Sequence, residues 1–151
     1  METVLILDFG AQYSQLIARR VREQNVYCEV KPCSISPDEI RELAPIGIIL
    51  SGGPQSVYES VSLHVDPALF SLGIPVLGIC YGCQLMAYSL GGTVAAATEA
   101  TAREYGKTLT EFDTHSAIFQ DLPASSVTWM SHGDYMAKVP EGFELVAHTD
   151  M

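Results

Sequence analysis

The chain has 151 residues, 48% of them hydrophobic and 17% charged, a composition typical of a globular domain that buries most of its apolar surface. Its formal charge of −10, from 18 acidic and 8 basic residues, disfavours nucleic acid as a partner. No apolar run reaches the ~18 residues of a membrane span. Four cysteines are too few for a disulfide scaffold, and no signal-peptide pattern precedes Val4, so we expect a cytoplasmic protein without membrane partners.

Apolar runs alternate with helical patterns in the first part of the chain. Helical spacing covers Gln12–Glu23 and Gln84–Leu90, and Ser36-Pro37-Asp38-Glu39 predicts a capped helix start between them. Strands are predicted over Val4–Leu7, Tyr27–Val30, Ile46–Leu50 and Ile74–Ile79. This order predicts an α/β fold, doubly wound, with a mostly parallel central sheet and helices on both faces.

The pattern changes after Gly92. Strand-like composition over Thr93–Ala97, Lys107–Phe112 and Val127–Met130 predicts a small antiparallel extension of the sheet. Asp113–Phe119 predicts a turn into a short helix. Because no repeat, low-complexity tract or charged linker separates the two halves, we expect one domain over residues 1–151.

A cysteine lies where the predicted strand Ile74–Ile79 turns into the next helix. Cys80 is flanked by Gly78 and Gly82, so the segment reads G-x-C-x-G, the thiol counterpart of the G-x-S-x-G nucleophile elbow. At a helix start the thiol faces the positive end of the helix dipole, which favours the thiolate. The sequence therefore predicts Cys80 as a nucleophile.

Other interpretations of this cysteine remain open from the residues alone. A cysteine after a buried strand is often a small core residue. Cys80 and Cys83 also form a C-x-x-C pair, which is found in thioredoxin-like oxidoreductases. A zinc site formed with Cys28 and Cys33 is disfavoured by their spacing, and we expect no metal site.

Two glycines follow the predicted strand Ile46–Leu50. In Ser51-Gly52-Gly53-Pro54 the backbone amides lack side-chain cover and could receive a developing negative oxygen. Asp8-Phe9-Gly10, this turn and Cys80 all follow parallel strands, so we expect them to converge at one edge of the sheet. The sequence has no phosphate loop or dinucleotide-binding motif.

Four segments carry a resemblance to a known family: ILDFGAQYSQLIARRVRE from Ile6, LSGGPQSVYE from Leu50, GICYGCQLMA from Gly78 and MSHGD from Met130. The chain resembles the class I, triad-type glutamine amidotransferases and, within them, the amidotransferase domains of GMP synthetases. The resemblance covers essentially the whole chain. Cys83 stands where that family more often has methionine, another apolar and polarizable side chain.

The resemblance implies a chemistry and a set of roles. Cys80 would attack the side-chain amide of glutamine, with the amides of Gly53 and Tyr81 as oxyanion hole, giving a glutamyl thioester and ammonia. The implied substrate-binding residues are Gly52, Gln84, Ser131, His132 and Asp134. No cofactor is implied in this domain. ATP and Mg²⁺ are expected in the ATP-pyrophosphatase (synthetase) domain or subunit, the implied partner, which aminates XMP to GMP.

One part of the family pattern is not matched. The family completes its triad with a downstream His-Pro-Glu motif, whereas His148 is followed by Thr149-Asp150, so the catalytic histidine is not assigned to His148. His132 belongs to the SHGD motif and is not assigned as the base. We therefore expect a domain truncated before the His-Pro-Glu segment, with impaired turnover. A non-catalytic amidotransferase-like binding domain is the remaining alternative.

Overall fold

A computed structural model describes residues 1–10, 12–53, 56–58, 63–96 and 104–150. These residues form two compact units, Met1–Ser89 and Leu90–Met151. Pro54 and Ala97, predicted to lie in a turn and a strand, fall outside the described residues. The expectation of one domain over residues 1–151 stays a prediction.

The first unit is a parallel sheet with helices between its strands. Its four strands lie in the order β2-β1-β3-β4, and each neighbouring pair is parallel. The predicted alternation is confirmed, with bounds that differ by a few residues. The elements are β1 (Thr3–Asp8), α1 (Ser14–Glu23), β2 (Tyr27–Pro32), α2 (Pro37–Leu43), β3 (Gly47–Leu50), a 3₁₀ helix (Pro67–Ser71), β4 (Val76–Gly78) and α3 (Tyr81–Ser89).

Strand β1 lies at the centre of the core. Leu5, Ile6 and Leu7 are all fully buried, as expected for a parallel strand that is covered on both faces. On one face, Ile6 packs in a cluster with Ala18 of α1 and Cys28 of β2. Burial of these apolar side chains fixes the position of β1 in the sheet. The loop that follows Asp8 is therefore held at the carboxyl end of that strand.

The start of α2 shows a capping box. The Glu39 amide donates to Ser36 Oγ and the Ser36 amide donates to Glu39 Oε2, both at 3.2 Å. Pro37 occupies the first turn, where its missing N–H is not needed. The helix start predicted from Ser36-Pro37-Asp38-Glu39 is confirmed.

The second unit is built from antiparallel strands, as predicted. Among the described residues these strands form two sheets of their own and do not extend the parallel sheet. Strand β5 pairs with β8, and β6 pairs with both β7 and β9. The strands are β5 (Thr93–Ala96), β6 (Glu104–Phe112), β7 (Ser125–His132), β8 (Asp134–Lys138) and β9 (Ala147–Thr149). Among the described residues, no helix of either unit is long and apolar enough to cross a membrane.

The short helix predicted within Asp113–Phe119 is wrong. The segment forms successive turns, in which the Ser116 amide donates to the Asp113 carbonyl and the Phe119 amide to the Ser116 carbonyl, each at 3.1 Å. The Asp113 carboxylate also accepts the His115 amide at 2.9 Å. The bonds between backbone groups link residues three apart, and each turn begins at the residue where the previous one closes, so the segment forms successive single turns.

Candidate active site

Three loops meet at the carboxyl end of the parallel sheet, as the sequence predicts. The ladder continues past β3, where the Ser51 amide donates to the Leu7 carbonyl at 3.2 Å and the Ile79 amide to the Leu50 carbonyl at 2.9 Å. A Cβ added to Gly52 would lie 3.5 Å from Cys80 Cβ. The loops after β1, β3 and β4 are therefore side by side, and Cys80 adjoins the Gly52-Gly53 turn.

Cys80 occupies a strained turn between β4 and α3. Its φ of +53° lies in the left-handed region, which non-glycine residues rarely adopt. Its carbonyl accepts the Gln84 amide at 3.1 Å, closing the first turn of α3, and its side chain is exposed. Backbone strain of this kind costs about 1–3 kcal/mol and is characteristic of functional sites. The turn presents the thiol outward at the helix start.

The flanking glycines are required by close approach of backbone. A Cβ on Gly78 would lie 2.6 Å from Cys83 Cα, and a Cβ on Gly82 would collide with the carbonyl group of Leu50. Neither glycine has a positive φ, so space rather than backbone dihedral restricts these two positions. Helix α3 can pack this closely on β3 because position 82 has no side chain.

The four thiols differ in exposure. Cys80 is exposed, Cys83 is half-buried, and Cys28 and Cys33 are buried. Burial raises the pKa of the Cys83 thiol, and the neighbouring Cys80 raises it further. Burial likewise raises the pKa of Cys33. Cys80 is therefore the thiol best placed to react with a molecule from solvent.

Tight packing surrounds the predicted oxyanion residues. A Cβ on Gly53 would lie 3.2 Å from the Phe9 carbonyl oxygen and 3.5 Å from a ring carbon of Tyr81. The Tyr81 ring is buried, lies 5.4 Å from the Phe9 ring, and donates through its hydroxyl to the Leu63 carbonyl at 2.5 Å. Gly53 and Tyr81, the first residue of α3, therefore both pack against Phe9. Gln84, one turn further along α3, is buried.

Two buried hydroxyls that sequence reasoning missed lie beneath the same loops. Ser14 at the start of α1 and Ser51 after β3 are 2% and 0% exposed, and their hydroxyl oxygens are 3.2 Å apart. Serine is usually an exposed residue, so its type alone gave no signal. The available indication was that each serine follows one of two parallel strands, Ser14 after β1 and Ser51 after β3.

The remaining predicted substrate residues belong to the second unit. Ser131 and His132 end β7 and Asp134 begins β8. Ser131 is exposed, whereas His132 and Asp134 are half-buried. His148 in β9 lies 3.2 Å, Nε2 to Oε2, from the exposed Glu111 of β6. Among the described residues, no three His, Cys, Asp or Glu side chains cluster as metal ligands do.

Comparison with known sequences places the chain in a family. The family model described as "Glutamine amidotransferase class-I" matches residues 5–151. The "GMP synthase [glutamine-hydrolyzing]" of Brachyspira hyodysenteriae is 54% identical over 149 residues, which are 99% of this chain and 28% of that protein. The protein with the same name from Clostridium botulinum (strain Hall) is 56% identical and is covered to 29%. The chain thus spans under a third of these relatives.

Solved structures agree with this assignment. A putative GMP synthase subunit from Thermoplasma acidophilum has a TM-score of 0.85 and 28% identity, over 99% of this chain and 74% of that one. A glutamine amidotransferase from Thermotoga maritima has a TM-score of 0.74 and 21% identity, over 99% and 67%, and shows the shared fold. These matches do not favour the thioredoxin-like alternative. The chain belongs to the class I glutamine amidotransferase family.

Proposed function

We propose that this chain is the glutamine-hydrolysing part of a GMP synthase, with Cys80 as its nucleophile. The observation that carries the proposal is the exposed Cys80 in a strained turn at the start of α3, beside the Gly52-Gly53 loop. The high identity to GMP synthases over 99% of the chain supports the same assignment.

The proposed reaction proceeds through a covalent intermediate. The Cys80 thiolate attacks the carbonyl carbon of the glutamine side-chain amide, and the oxygen takes up the electron pair as an oxyanion. The amides of Gly53 and Tyr81 donate hydrogen bonds to that oxyanion. The C–N bond then breaks, the nitrogen gains a proton and leaves as ammonia, and a glutamyl thioester remains. Water hydrolyses the thioester to glutamate and regenerates the thiol.

Substrate binding is proposed for the residues that match the family motifs, namely Gly52, Gln84, Ser131, His132 and Asp134. We assign no proton transfer to His132 or His148. The ammonia would serve a partner synthetase domain or subunit that holds ATP and Mg²⁺ and aminates XMP to GMP. This chain would need no cofactor of its own, and cytoplasmic localisation is proposed with this role.

Covalent labelling tests the proposal without requiring turnover. The 151-residue chain is treated with a chloromethyl ketone analogue of glutamine, and the modified peptides are mapped by mass spectrometry. We expect Cys80 to be labelled first and free glutamine, but not asparagine, to slow the labelling. Cys80→Ala should abolish it, and Cys83→Ser should not. Labelling that begins at Cys28 or Cys33 would contradict the assignment of Cys80.

The pH dependence separates specific from adventitious labelling. Because burial raises the pKa of Cys33 and Cys83, each has a smaller thiolate fraction at neutral pH than an exposed thiol, and its labelling should grow as the pH rises. Glutamine should protect Cys80 without affecting these two thiols. If glutamine protects Cys80 but the analogue labels it no faster than iodoacetamide does, the non-catalytic binding alternative is favoured. If glutamine gives no protection either, the proposed glutamine site is wrong.

A further inference from the structure

We propose that Ser14 is a positioning residue, which holds the Ser51-Gly52-Gly53 loop in the geometry of an oxyanion hole through a buried hydrogen-bond chain from Asp8. The proposal rests on the function proposed above and extends it to residues that do not touch the substrate. Ser14 begins α1, whereas the loop follows β3, 37 positions along the sequence.

The chain of hydrogen bonds begins at Asp8, the last residue of β1. Its Oδ1 accepts the Ser14 hydroxyl at 2.9 Å and the Gly10 amide at 2.9 Å. The carboxylate therefore fixes both the loop after β1 and the first residue of α1. Hydrogen bonds to an ionised group are about twice as strong as neutral ones, which makes Asp8 a firm anchor.

The protons can be assigned from the donor capacity of each group. Ser14 has one hydroxyl proton, and the ionised Asp8 carboxylate only accepts, so that proton points to Asp8. The Ser51 hydroxyl lies 3.2 Å from Ser14 Oγ and 3.4 Å from the Gly52 carbonyl oxygen. When the Ser14 proton goes to Asp8, the Ser51 proton therefore goes to Ser14, its nearer acceptor. The chain thus runs from Ser51 through Ser14 to Asp8. Both hydroxyls are buried, so a lost partner could not be replaced by bulk water without rearrangement.

This chain fixes the start of the loop that carries Gly53. The Ser51 backbone is tied to β1 by the bond from its amide to the Leu7 carbonyl, and its side chain is tied to Ser14. Gly53 then packs against Phe9, where an added Cβ would lie 3.3 Å from Phe9 Cβ. With the side-chain tie removed, the loop keeps its fold but loses a constraint on the direction of its amides. Small misplacements of catalytic groups can cost up to about 10²-fold in rate.

The test compares two electrophiles on the same thiol. In the proposed route the Cys80 thiolate first adds to the ketone carbonyl of the analogue, which forms an oxyanion, and the sulfur then bonds to the chloromethyl carbon with loss of chloride to give a thioether. Iodoacetamide alkylates the thiol by direct displacement of iodide and needs no oxyanion hole. For Ser14→Ala we expect kinact/KI for the analogue to fall about tenfold, and we expect this fall to come from kinact and not from KI. The rate at which iodoacetamide alkylates Cys80 should stay constant. An equal fall for both reagents would show a merely structural role and overturn the proposal.

Ser36→Ala provides the matched control. It removes a hydroxyl from the start of α2, where Ser36 Oγ accepts the Glu39 amide and completes the capping box of that helix. Loss of this cap should lower Tm by about 2–4 °C, with both labelling rates unchanged. If Ser36→Ala slows the analogue as much as Ser14→Ala does, lowered stability explains the effect and the proposal is wrong.

A double-mutant cycle tests the hydrogen-bond chain itself. If Ser14 acts through Ser51, the double variant Ser14→Ala/Ser51→Ala should slow the analogue no more than the stronger single variant, because one chain is broken in each case. Multiplying rate losses would show independent roles and overturn the proposal.

Amide hydrogen exchange gives a readout that needs no glutamine chemistry. We expect Ser14→Ala to speed exchange in peptides covering 51–53 but not in peptides from α2. If Ser14→Ala speeds exchange at 51–53 but the analogue does not label the wild-type chain, the proposed function is rejected and the positioning role is supported. Unchanged exchange at 51–53 would reject the positioning role on its own.

Discussion

The two units of the chain bury apolar side chains to very different extents. In residues 1–89 the strands of the parallel sheet carry fully buried side chains, among them Leu5, Ile48 and Leu50. Among the described residues of 90–151, Val94 is the buried hydrophobic side chain, while Leu109, Val127 and Trp129 are more than half exposed. The first unit therefore has its own hydrophobic core, and the second is held chiefly by strand pairing.

The difference matters for the site because the strained turn lies in the well-packed unit. A residue with unfavourable φ, such as Cys80, keeps its conformation only where the surrounding structure determines it. Close backbone contacts at Gly78 and Gly82, on either side of Cys80, hold the turn in this conformation. The second unit, with Ser131 and His132 at the end of β7, has little apolar packing of its own, so we expect its amides to exchange faster.

The largest effect should come from a core truncation in the first unit. Leu5→Ala removes a fully buried side chain and should lower the free energy of unfolding by about 2–5 kcal/mol. The matched variant Leu109→Ala, at a side chain that is 54% exposed, should change it by less than about 0.5 kcal/mol. Urea unfolding followed by circular dichroism, and by the fluorescence of the single tryptophan Trp129, measures both. Equal losses would show that the two units are not distinct in packing.

The next largest effect should come from adding one methyl group beneath the elbow. Gly82→Ala places a Cβ against the Leu50 carbonyl and should cost about 1–3 kcal/mol of stability through overpacking. Gly47→Ala is the control, because its Cβ would meet the Pro75 carbonyl oxygen at an ordinary 3.8 Å. Thermal unfolding of both variants measures the difference. Gly82→Ala with the stability of Gly47→Ala would refute the close approach of α3 to β3.

In the second unit a polar contact between strands should matter more than its exposed apolar residues. Thr110 Oγ1, on a 5% exposed residue of β6, lies 2.6 Å from Thr128 Oγ1 of β7. Thr128→Val should cost about 1 kcal/mol because the Thr110 hydroxyl loses this partner and the Thr108 carbonyl, 3.3 Å from Thr128 Oγ1, loses a donor. The double variant Thr110→Val/Thr128→Val should recover the part of that loss that comes from the Thr110 hydroxyl. A double variant less stable than Thr128→Val would show that the Thr110 hydroxyl contributes through a contact other than Thr128.

Local patterns were enough to predict most elements of the fold. The apolar run of β1 and the caps at Ser36 and Pro37 act within a few residues, so the sequence displays them directly. The same holds for the elbow, where two glycines flank Cys80. The turns after Asp113 were misjudged because an aspartate that accepts the amide two residues on can begin either a turn or a helix, so its presence did not decide between them.

Tertiary contacts account for what could not be predicted. Gly82 is required by the Leu50 carbonyl, which belongs to a strand far away in the sequence. The pairing of Ser14 with Ser51 depends on the order of strands β1 and β3 in the sheet. Neither fact has a local signal, since both arise from elements that meet only in the folded sheet.

The smallest effect is expected at His148, the histidine that was compared with the His-Pro-Glu motif of the family and not assigned as the base. His148 and Glu111 form an exposed pair between β9 and β6, and such surface pairs contribute about 0–1 kcal/mol. His148→Ala should therefore leave the stability nearly unchanged, and the rate at which the glutamine analogue labels Cys80 should not change. Glu111→Gln, which removes the partner's charge, is the control and should behave alike. A large loss of Cys80 labelling in His148→Ala, with labelling retained in Glu111→Gln, would show that His148 acts on the thiol and that withholding the role of base from it was wrong.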